Sequence, residues 1–491
     1  MTLRDQQLAL LVDFGSTYTK LVAVNLEAGR IVAHVQAPTT VETDINIGLW
    51  QALAHLEETC QLKAEQFSYR LACSSAAGGL RIIAIGLVKS LTVEAARQAA
   101  LGAGARIVGA YGDQLTTDEI DRIVRTQPDM ILLAGGIDGG DRNVILHNAT
   151  QLAESPIAVP IILAGNKNAS PAAEAILRNH GKEVRTTENV LPRLQGINVE
   201  PARETIRRLY MERIVQAKGL DRAESFIGQV VMPTPAAVLQ ATRLLADGTT
   251  NQPGWEAVMV VDIGGATTDV HSVAPNPPAA EFVIRHGLPE AHAKRTVEGD
   301  LGLRVSAISL LETVGMAALR SQLDDMLQTT TANGMDEKLH HAMRRRTENV
   351  SLVPEGEFDR KLDEAMAFLC VEHGTERHVG HLREHYLPTG FCLIQDGKDL
   401  TQVKHVIGTG GIFLHTNNAA SILSGGLFDR RKPHVLKPAF PELHLDRQYA
   451  LWAMGLLAES HPDLALDILK QELQVIKLDP RKHGGTESKP R

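Results

Sequence analysis

The chain has 491 residues, more than one hydrophobic core usually holds, so two or more domains are expected. Apolar residues make up 44% of the sequence and aromatic residues only 4%, which favours helices packed on aliphatic strands over an all-β sandwich. The net charge is −8 and neither sign dominates a long segment, so the composition gives no support to a nucleic-acid partner.

The four cysteines are scattered without a Cys-x-x-Cys pair, which argues against a disulfide framework or a cysteine-rich metal site. The N-terminal residues lead into an apolar strand without a signal-like core. No apolar run reaches the length of about 18 residues that suggests a membrane span. We therefore expect a cytoplasmic protein with no membrane partner.

The predicted elements begin with a β-meander over residues 8–36. A helix over residues 48–62, a strand over 69–74 and a helix over 92–101 follow, and a threonine at the start of the last helix can cap it. We assign residues 1–103 to a first lobe.

From residue 104 the pattern changes to alternating strands and helices, which is typical of a parallel βαβ sheet. The strands are predicted at residues 106–110, 130–134, 160–164 and 182–185, and the helices at 117–126, 141–153 and 170–179. We assign residues 104–188 to a subdomain inserted in the first lobe. Ligand binding and simple turn formation both explain the polar residues after these strands, which are Asp138, Gly139, Gly140 and Asn166.

Residues 189–250 are expected to complete the first lobe and to connect it to the second. A linker at residues 247–254 precedes the second lobe, to which we assign residues 251–478. The tail at residues 479–491 is rich in Lys, Gly, Pro and Ser and is predicted to be disordered.

Two strand-and-turn segments, at residues 10–20 and 258–270, follow one formula. Each is an apolar strand that delivers an aspartate, Asp13 or Asp262, then a glycine turn and then hydroxyl residues. A glycine turn lets N–H groups approach a phosphate, and an aspartate can hold a hydrated divalent cation. One such turn is also typical of an ordinary hairpin, but two copies and a third glycine turn within residues 403–413 favour a nucleotide site.

In order, these turns resemble the two phosphate loops and the adenosine loop of the actin-like ATPase superfamily, which includes sugar kinases and heat-shock chaperone ATPases. The resemblance implies a two-lobed α/β fold with a duplicated β-meander plus helices, and ATP and Mg²⁺ as ligands. Asp13 and Asp262 would hold Mg²⁺ through water. The nucleotide-binding residues that the resemblance implies are Asp13, Gly15, Ser16, Thr17, Lys20, Asp262, Gly264, Gly265, Thr267, Thr268, Gly408, Gly410 and Gly411.

Three longer segments, at residues 74–80, 189–198 and 294–302, resemble the glutamate mutase L family, which is encoded beside coenzyme-B12-dependent mutases. This resemblance spans nearly the whole chain. It implies an accessory or reactivating protein for such a mutase, for example glutamate mutase (methylaspartate mutase). The sequence has no Asp-x-His-x-x-Gly segment of the kind that supplies an axial histidine in many B12 modules. Cobalamin is therefore expected only in the partner.

Met232 stands where the chaperone ATPases have a carboxylate beside the attacking water. A thioether cannot accept a proton, so hydrolysis is expected to be slow or to use another carboxylate. Glu298 and Asp300 are the candidates for this catalytic role, although the same residues can form a capping turn before a helix that begins near Val305.

Two other clusters have ordinary explanations beside functional ones. The arginines at residues 344–346 are typical of a solvated helix face. His381 and His385 have the spacing of zinc ligands on a helix, but packed or solvated histidines give the same pattern. The whole cluster is Cys370, His373, His378, His381 and His385.

The sequence leaves three functions open. The family resemblance favours an ATP-using accessory protein whose lobes respond to the γ-phosphate and whose inserted subdomain contacts the mutase. A small-molecule kinase on the same fold is the alternative, and it would need a carboxylate base and a pocket for an acceptor hydroxyl. A nucleotide-dependent structural or filament-forming protein is the third.

Overall fold

The computed structural model describes residues 7–15, 18–39, 45–75, 80–194, 196–217, 226–227, 230–276, 282–329, 334–387 and 390–478. The chain forms two compact units. Unit 1 comprises Met1–Ala241, Gly287–Lys294 and Trp452–Ile468, and unit 2 comprises Thr242–His286, Arg295–Leu451 and Leu469–Arg491. Each unit is therefore assembled from separate stretches of the chain. The tail predicted to be disordered lies outside the described residues.

The first sheet of unit 1 is a β-meander extended by two parallel strands. Its strands are β1 (Leu8–Phe14), β2 (Tyr18–Asn25), β3 (Arg30–Pro38), β4 (Phe67–Ser74) and β10 (Val230–Pro233). Their order is β10-β4-β1-β2-β3, with β1, β2 and β3 antiparallel in turn and with β4 parallel to both β1 and β10. Every residue of β1 is buried, as expected of a central strand that is covered on both faces.

The second sheet of unit 1 is entirely parallel. Its strands are β5 (Arg81–Gly86), β6 (Arg106–Gly112), β7 (Met130–Leu133), β8 (Ile161–Leu163) and β9 (Val184–Thr186), in the order β6-β5-β7-β8-β9. The helices between these strands are α2 (Glu94–Gly102), α3 (Thr117–Thr126), α4 (Asn143–Glu154) and α5 (Ser170–Asn179). The predicted parallel βαβ sheet is confirmed, and it already begins at β5, upstream of residue 104.

Among the described residues, five further helices lie wholly or partly in unit 1. They are α1 (Ile45–Cys60), α6 (Glu200–Ala217), α7 (Thr234–Asp247), α14 (Leu451–Leu457) and α15 (Pro462–Glu472). Helix α14 comes from the far end of the chain. A Cβ atom at its Gly455 would lie 1.9 Å from the carbonyl oxygen of Ala237 in α7, so the two helix backbones are in direct contact.

The main sheet of unit 2 is also mixed. Its strands are β11 (Val258–Ile263), β12 (Thr268–Val273), β14 (Ala293–Glu298), β17 (His405–Thr409), β18 (Glu442–Leu445) and β19 (Gln474–Ile476), in the order β14-β12-β11-β17-β18-β19. Strand β11 is antiparallel to β12 and parallel to β17, and β17 is parallel to β18. A small sheet is formed by β13 (Val283–His286), β15 (His381–Leu387) and β16 (Gly390–Asp396).

The remaining helices pack around the main sheet of unit 2 or continue from it. They are α8 (Ala307–Val314), α9 (Met316–Leu327), α10 (Met335–Glu348), α11 (Gly356–His378), α12 (Gly411–His415) and α13 (Ala419–Leu423). Helix α11 supplies many residues to the buried core of this unit, among them Leu362, Met366 and Cys370.

The two mixed sheets repeat one plan. In each, a central strand (β1 or β11) is antiparallel to the next strand and parallel to a later one (β4 or β17), which in turn has a parallel outer neighbour (β10 or β18). The α/β fold class with a duplicated meander, which the sequence predicted from its resemblance to actin-like ATPases, is confirmed.

Three local expectations were wrong. Thr92 does not cap α2, since its hydroxyl accepts from the N–H of Val88 and the helix begins at Glu94. His381 and His385 lie on strand β15 and not on a helix, because α11 ends at His378. Four residues along a strand span about 13 Å, too far for both imidazoles to bind one ion. Arg346 is fully buried and not solvated, since it continues the buried helical face of α10 formed by Leu339, Ala342 and Met343.

Among the described residues, no helix combines the length and the hydrophobicity that crossing a bilayer requires.

Candidate functional site

The carboxyl end of β1 holds Asp13 in the interior of unit 1, with its side chain 1% exposed. One carboxylate oxygen accepts a hydrogen bond of 2.6 Å from the hydroxyl of Thr234 and lies 3.6 Å from the sulfur of Cys73. The other oxygen lies 3.4 Å from the ammonium of Lys20. Strands β2 and β4 and the start of α7 therefore converge on one carboxylate.

The turn after Asp13 is closed by the main chain. The N–H of Gly15 donates to the carbonyl oxygen of Tyr18 over 3.1 Å, and a Cβ atom at Gly15 would lie 2.6 Å from that oxygen. Any side chain at this position would push the turn open, which explains the glycine. Ser16 and Thr17, which the sequence assigns to phosphate, lie outside the described residues, and their roles stay predictions.

Sequence reasoning did not assign Thr234 and Cys73 to the site. Cys73 lies beside Asp13 in the β1–β4 register, and burial together with the charge of Asp13 raises the pKa of its thiol well above the usual value. Thr234 opens α7 directly after β10. Thr234 lies two residues after Met232, the position compared with the chaperone ATPases, and this proximity is the signal that could have pointed to it. Met232 is 1% exposed, so the expected carboxylate position is filled by a core side chain.

The carboxyl end of β11 repeats the arrangement in unit 2 with different charges. Asp262 is half-buried and lies directly opposite Asp269 on β12. One oxygen of Asp269 accepts bonds of 3.0 and 2.6 Å from the guanidinium of Arg295, and the other accepts a bond of 3.2 Å from the hydroxyl of Thr267. Arg295 is itself buried, so it neutralises Asp269 inside the protein.

The glycine turn after Asp262 presents main chain at the surface. The N–H of Gly264 donates to the carbonyl oxygen of Thr267 over 2.9 Å, as Gly15 does to Tyr18 in the first hairpin. Gly265 is exposed and Thr267 is half-buried. Thr268, by contrast, is fully buried and its hydroxyl donates to the carbonyl oxygen of Leu301 over 2.8 Å. In this structure Thr268 does not face solvent, and its hydroxyl holds the glycine turn against the segment at residues 299–302.

The third predicted turn lies beside the second. Strand β17 pairs with β11 so that Thr409 is opposite Asp262, and Gly410 and Gly411 follow at the start of α12. Gly410 has a φ of 107°, and a Cβ atom there would lie 2.3 Å from the carbonyl oxygen of Ile263. A Cβ atom at Gly411 would meet no heavy atom within 4 Å, so open space lies over this turn.

An aspartate that the sequence analysis did not single out lies next to this turn. Asp446 follows β18, is 1% exposed, and accepts a bond of 3.0 Å from the hydroxyl of Thr409. It also accepts bonds of 2.7 and 3.1 Å from the N–H groups of Ala450 and Leu451, at the start of α14. It therefore fixes Thr409 next to the glycine turn and caps the helix that follows.

The two catalytic candidates share one arginine. The guanidinium of Arg377 donates to Glu298 over 2.8 Å and to both oxygens of Asp300 over 2.8 and 2.9 Å. Arg377 holds the pKa of Asp300 at about 2. Burial, assisted by the charges of Asp300 and Asp269, raises the pKa of Glu298 in spite of Arg377. Glu298 is therefore the better proton acceptor of the two.

In the described part of the chain, protein hydrogen bonds account for Asn166 and His378 of the other predicted clusters. Asn166 is fully buried; its amide donates to the carbonyl oxygens of Gly140 and Asp141, and its side-chain oxygen accepts from Gly139 N–H, which supports the turn interpretation. His378 is buried between the hydroxyls of Ser272 and Thr296, at 2.8 and 2.9 Å from its two ring nitrogens. The four cysteines carry free thiols.

A family model described as "MutL protein" matches residues 9–473. The chain belongs to the MutL family. The predicted resemblance to the glutamate mutase L family is thereby confirmed. A curated relative, "Protein MutL" from Clostridium tetanomorphum, is 50% identical over 464 residues, which cover 94% of this chain and 98% of the relative.

Several solved structures are distant likenesses of this MutL-family chain. The activator of 2-hydroxyisocaproyl-CoA dehydratase from Clostridium difficile has 8% identity and a TM-score of 0.29, and covers 95% of this chain and 97% of its own. A glycerol dehydratase reactivase has 10% identity and a TM-score of 0.34, with coverage of 92% and 99%. Glycerol kinase from Plasmodium falciparum has 10% identity and a TM-score of 0.35, with coverage of 97% and 95%. Identities and TM-scores this low support no inference about the function of this chain.

The described residues fit a nucleotide with a divalent cation. The exposed Gly265 turn and the open space at Gly411 leave room for a ligand at the carboxyl ends of β11 and β17. Asp262 is half-buried at the end of β11, where its carboxylate could hold a hydrated cation. Both turns lie at the carboxyl ends of parallel strands, where open α/β sheets bind ligands.

Proposed function

We propose that this MutL-family protein is an ATP-binding, slowly ATP-hydrolysing accessory protein that reactivates a coenzyme-B12-dependent mutase such as glutamate mutase. The repeated hairpin is the observation that supports ATP binding. Asp13 and Asp262 stand at the same point of two sheets with the same strand plan, each followed by a turn closed through a glycine N–H. Family membership supports the accessory role.

In this proposal each unit contributes one loop to nucleotide binding. Asp13 and Asp262 would hold Mg²⁺ through water, and the ion would compensate the charge of the phosphates. Gly15, Ser16, Thr17 and Lys20 bind phosphate in unit 1, and Gly264, Gly265 and Thr267 bind it in unit 2. Gly408, Gly410 and Gly411 lie under the adenosine. Thr268 positions the second loop through its bond to Leu301.

Slow hydrolysis follows from the side chains around the proposed loops. Met232 offers no proton acceptor at the position where the chaperone ATPases have a carboxylate. Glu298, whose pKa burial raises, accepts the proton of the attacking water while the bond from the γ-phosphorus to its bridging oxygen breaks and ADP leaves. The products are ADP and inorganic phosphate.

The proposed partner requires no cobalamin site in this chain. Loss of the adenosyl group leaves a damaged corrinoid bound to a B12-dependent mutase, and ATP-driven reshaping of the mutase would release it. We assign the contacts with the mutase to the parallel sheet of unit 1 and its helices. This sheet is additional to the two mixed sheets that carry the hairpins, so it is free to serve another role. The cytoplasm is the proposed location.

Reactivation tests this function. Purified glutamate mutase is inactivated with a cobalamin that lacks the adenosyl group, and fresh coenzyme, MgATP and this protein are then added. We expect activity to return with the protein and MgATP together, and not with MgADP or with Asp262→Asn. Failure in every combination, with ATP binding intact, would contradict the accessory role. Transfer of the γ-phosphate to a small metabolite would instead support the kinase alternative.

A further inference from the structure

Three side chains converge at the amino ends of β17 and β18, at the opposite end of β17 from Gly410 and Gly411. In the parallel register His405 lies opposite Glu442, and His444 follows two residues further along β18. Nδ1 of His405 and Nε2 of His444 are 3.0 Å apart. One oxygen of Glu442 lies 3.2 Å from the His444 nitrogen and 3.6 Å from the His405 nitrogen.

These distances match the outline of a small metal site. In a tetrahedral Zn²⁺ site with bonds of about 2.0–2.1 Å, neighbouring ligand atoms are about 3.3 Å apart. The separations of 3.0, 3.2 and 3.6 Å lie around that value. Among the described residues, this is the one group of three or more His, Cys, Asp or Glu side chains whose ligand atoms gather this closely. Two imidazoles and a carboxylate form a ligand set that zinc enzymes use.

A hydrogen-bonded histidine pair explains the arrangement less well. If both rings are neutral, one proton can lie between the two nitrogens, and the Glu442 oxygen then meets a nitrogen lone pair. A second proton would require a charged imidazole. His444 is 3% exposed, so a charged imidazole there would lose most of its hydration. A cation placed among the three ligand atoms would be coordinated by a lone pair from each of them.

The surroundings hold the two imidazoles in place. The indole of Trp255 lies against both rings, with centroid distances of 4.6 Å to His405 and 4.8 Å to His444. His444 is 3% exposed and His405 is 19% exposed, whereas Glu442 is 52% exposed. The rings are thus fixed by packing and the carboxylate borders the solvent, so water can reach the fourth position of a metal ion.

We propose that His405, Glu442 and His444 bind Zn²⁺ or a similar divalent transition-metal ion, with water as the fourth ligand. The bound ion ties β17 to β18 beneath Trp255, which directly precedes β11. The site lies about 13 Å along β17 from the proposed adenosine turn, so it is separate from the nucleotide site and does not depend on the proposed function.

Calorimetry of the full-length, metal-free protein with ZnCl₂ tests the proposal, and the visible spectrum with CoCl₂ reports the geometry. We expect one ion to bind per chain and the Co²⁺ spectrum to be tetrahedral. Glu442→Gln and His405→Gln should each weaken Zn²⁺ binding by at least about tenfold. His286→Gln is the matched control, because His286 contacts the carboxylate of Asp396 at 2.6 Å on another sheet of the same unit.

The thermal midpoint gives a second readout that separates binding from folding. Zn²⁺ should raise the midpoint of wild type and of His286→Gln, but not that of Glu442→Gln. Glu442 is half exposed, so its metal-free variant should melt as the metal-free wild type does. Absence of Zn²⁺ binding by the wild type, or equal binding by wild type and Glu442→Gln, would overturn the proposal.

Discussion

Asp262 and Asp269 face each other across the β11–β12 hairpin, at the two positions that Asp13 and Lys20 occupy in the β1–β2 hairpin. The duplicated hairpins therefore share geometry but differ in charge. At the second of these positions unit 1 has a cation, Lys20, and unit 2 has an anion, Asp269, which Arg295 neutralises. The two loops should consequently contribute differently to cation and phosphate binding.

The first prediction concerns the dependence of ATP binding on Mg²⁺. Asp13 already has the ammonium of Lys20 at 3.4 Å, whereas Asp262 lies opposite another carboxylate, so the cation should depend more on Asp262. We expect Asp262→Asn to raise the Mg²⁺ concentration needed for half-maximal ATP binding more than Asp13→Asn does. Titrations of Mg²⁺ at fixed ATP, followed by calorimetry, measure this. Equal shifts would mean that the difference in charge has no consequence for the cation.

The second prediction concerns Glu298 as the proton acceptor. Glu298→Gln should lower the ATPase kcat by about 10²–10⁴-fold with little change in KM. Because the pKa of Glu298 is raised and only its charged form accepts a proton, wild-type kcat should rise with pH through a range above that of an ordinary glutamate. Steady-state phosphate release at a series of pH values gives both results.

Arg377 supplies the control for this pH effect. Its positive charge opposes the rise in the Glu298 pKa, so Arg377→Gln should move the acidic limb of the kcat profile to higher pH. If Glu298→Gln left both the shape and the height of the kcat–pH profile unchanged, another group would be the proton acceptor.

The third prediction concerns a buried ion-pair network in unit 2. Asp363 is 2% exposed and accepts bonds from the guanidinium groups of Arg346, at 2.7 Å, and Arg304, at 2.8 Å. Asp363→Ala should lower the free energy of unfolding by about 3–5 kcal/mol, because two arginines lose a buried partner. Urea denaturation followed by circular dichroism measures the change. Asp336→Ala is the control, since its pair with Arg320 is exposed and should contribute about 0–1 kcal/mol.

The fourth prediction concerns the contact between α7 and α14 in unit 1. A methyl group at Gly455 would overlap the carbonyl oxygen of Ala237, so Gly455→Ala should force the helices apart and cost at least about 1–3 kcal/mol of stability. Gly411→Ala is the matched control, because its methyl group meets open space. Thermal melts should show a lower midpoint for the first variant alone, and equal midpoints would place the helices further apart than described here.

Local signals in the sequence were sufficient for some elements. Helices α3 and α5 have the predicted limits, because a Thr116–Glu119 capping box opens α3 and a proline stands in the first turn of α5. The glycine turns at Gly15, Gly264 and Gly410 were predictable because each permits an approach of main chain that a Cβ would block.

Contacts between distant segments could not be predicted from local patterns. The hydrogen bond from Thr234 to Asp13 joins residues 221 positions apart, and no local hydrophobic or turn pattern pairs the two. Residues 452–468 return to unit 1 although the sequence places them beyond the start of the second lobe. The burial of Arg346 was missed because three consecutive arginines suggest a solvated surface. Its helical spacing from Leu339, Ala342 and Met343, which places it on the buried face, is a weaker signal.

The central claim is that both hairpins bind one class of ligand, and calorimetry with a nonhydrolysable MgATP analogue tests it most directly. We expect the wild type to bind, Asp13→Asn and Asp262→Asn each to bind at least about tenfold more weakly, a loss of about 1.4 kcal/mol, and Asp336→Asn to bind as the wild type does. Circular dichroism melts verify that the variants are folded. An analogue that fails to bind the wild type, or that binds both hairpin variants as tightly as the wild type, would contradict the account.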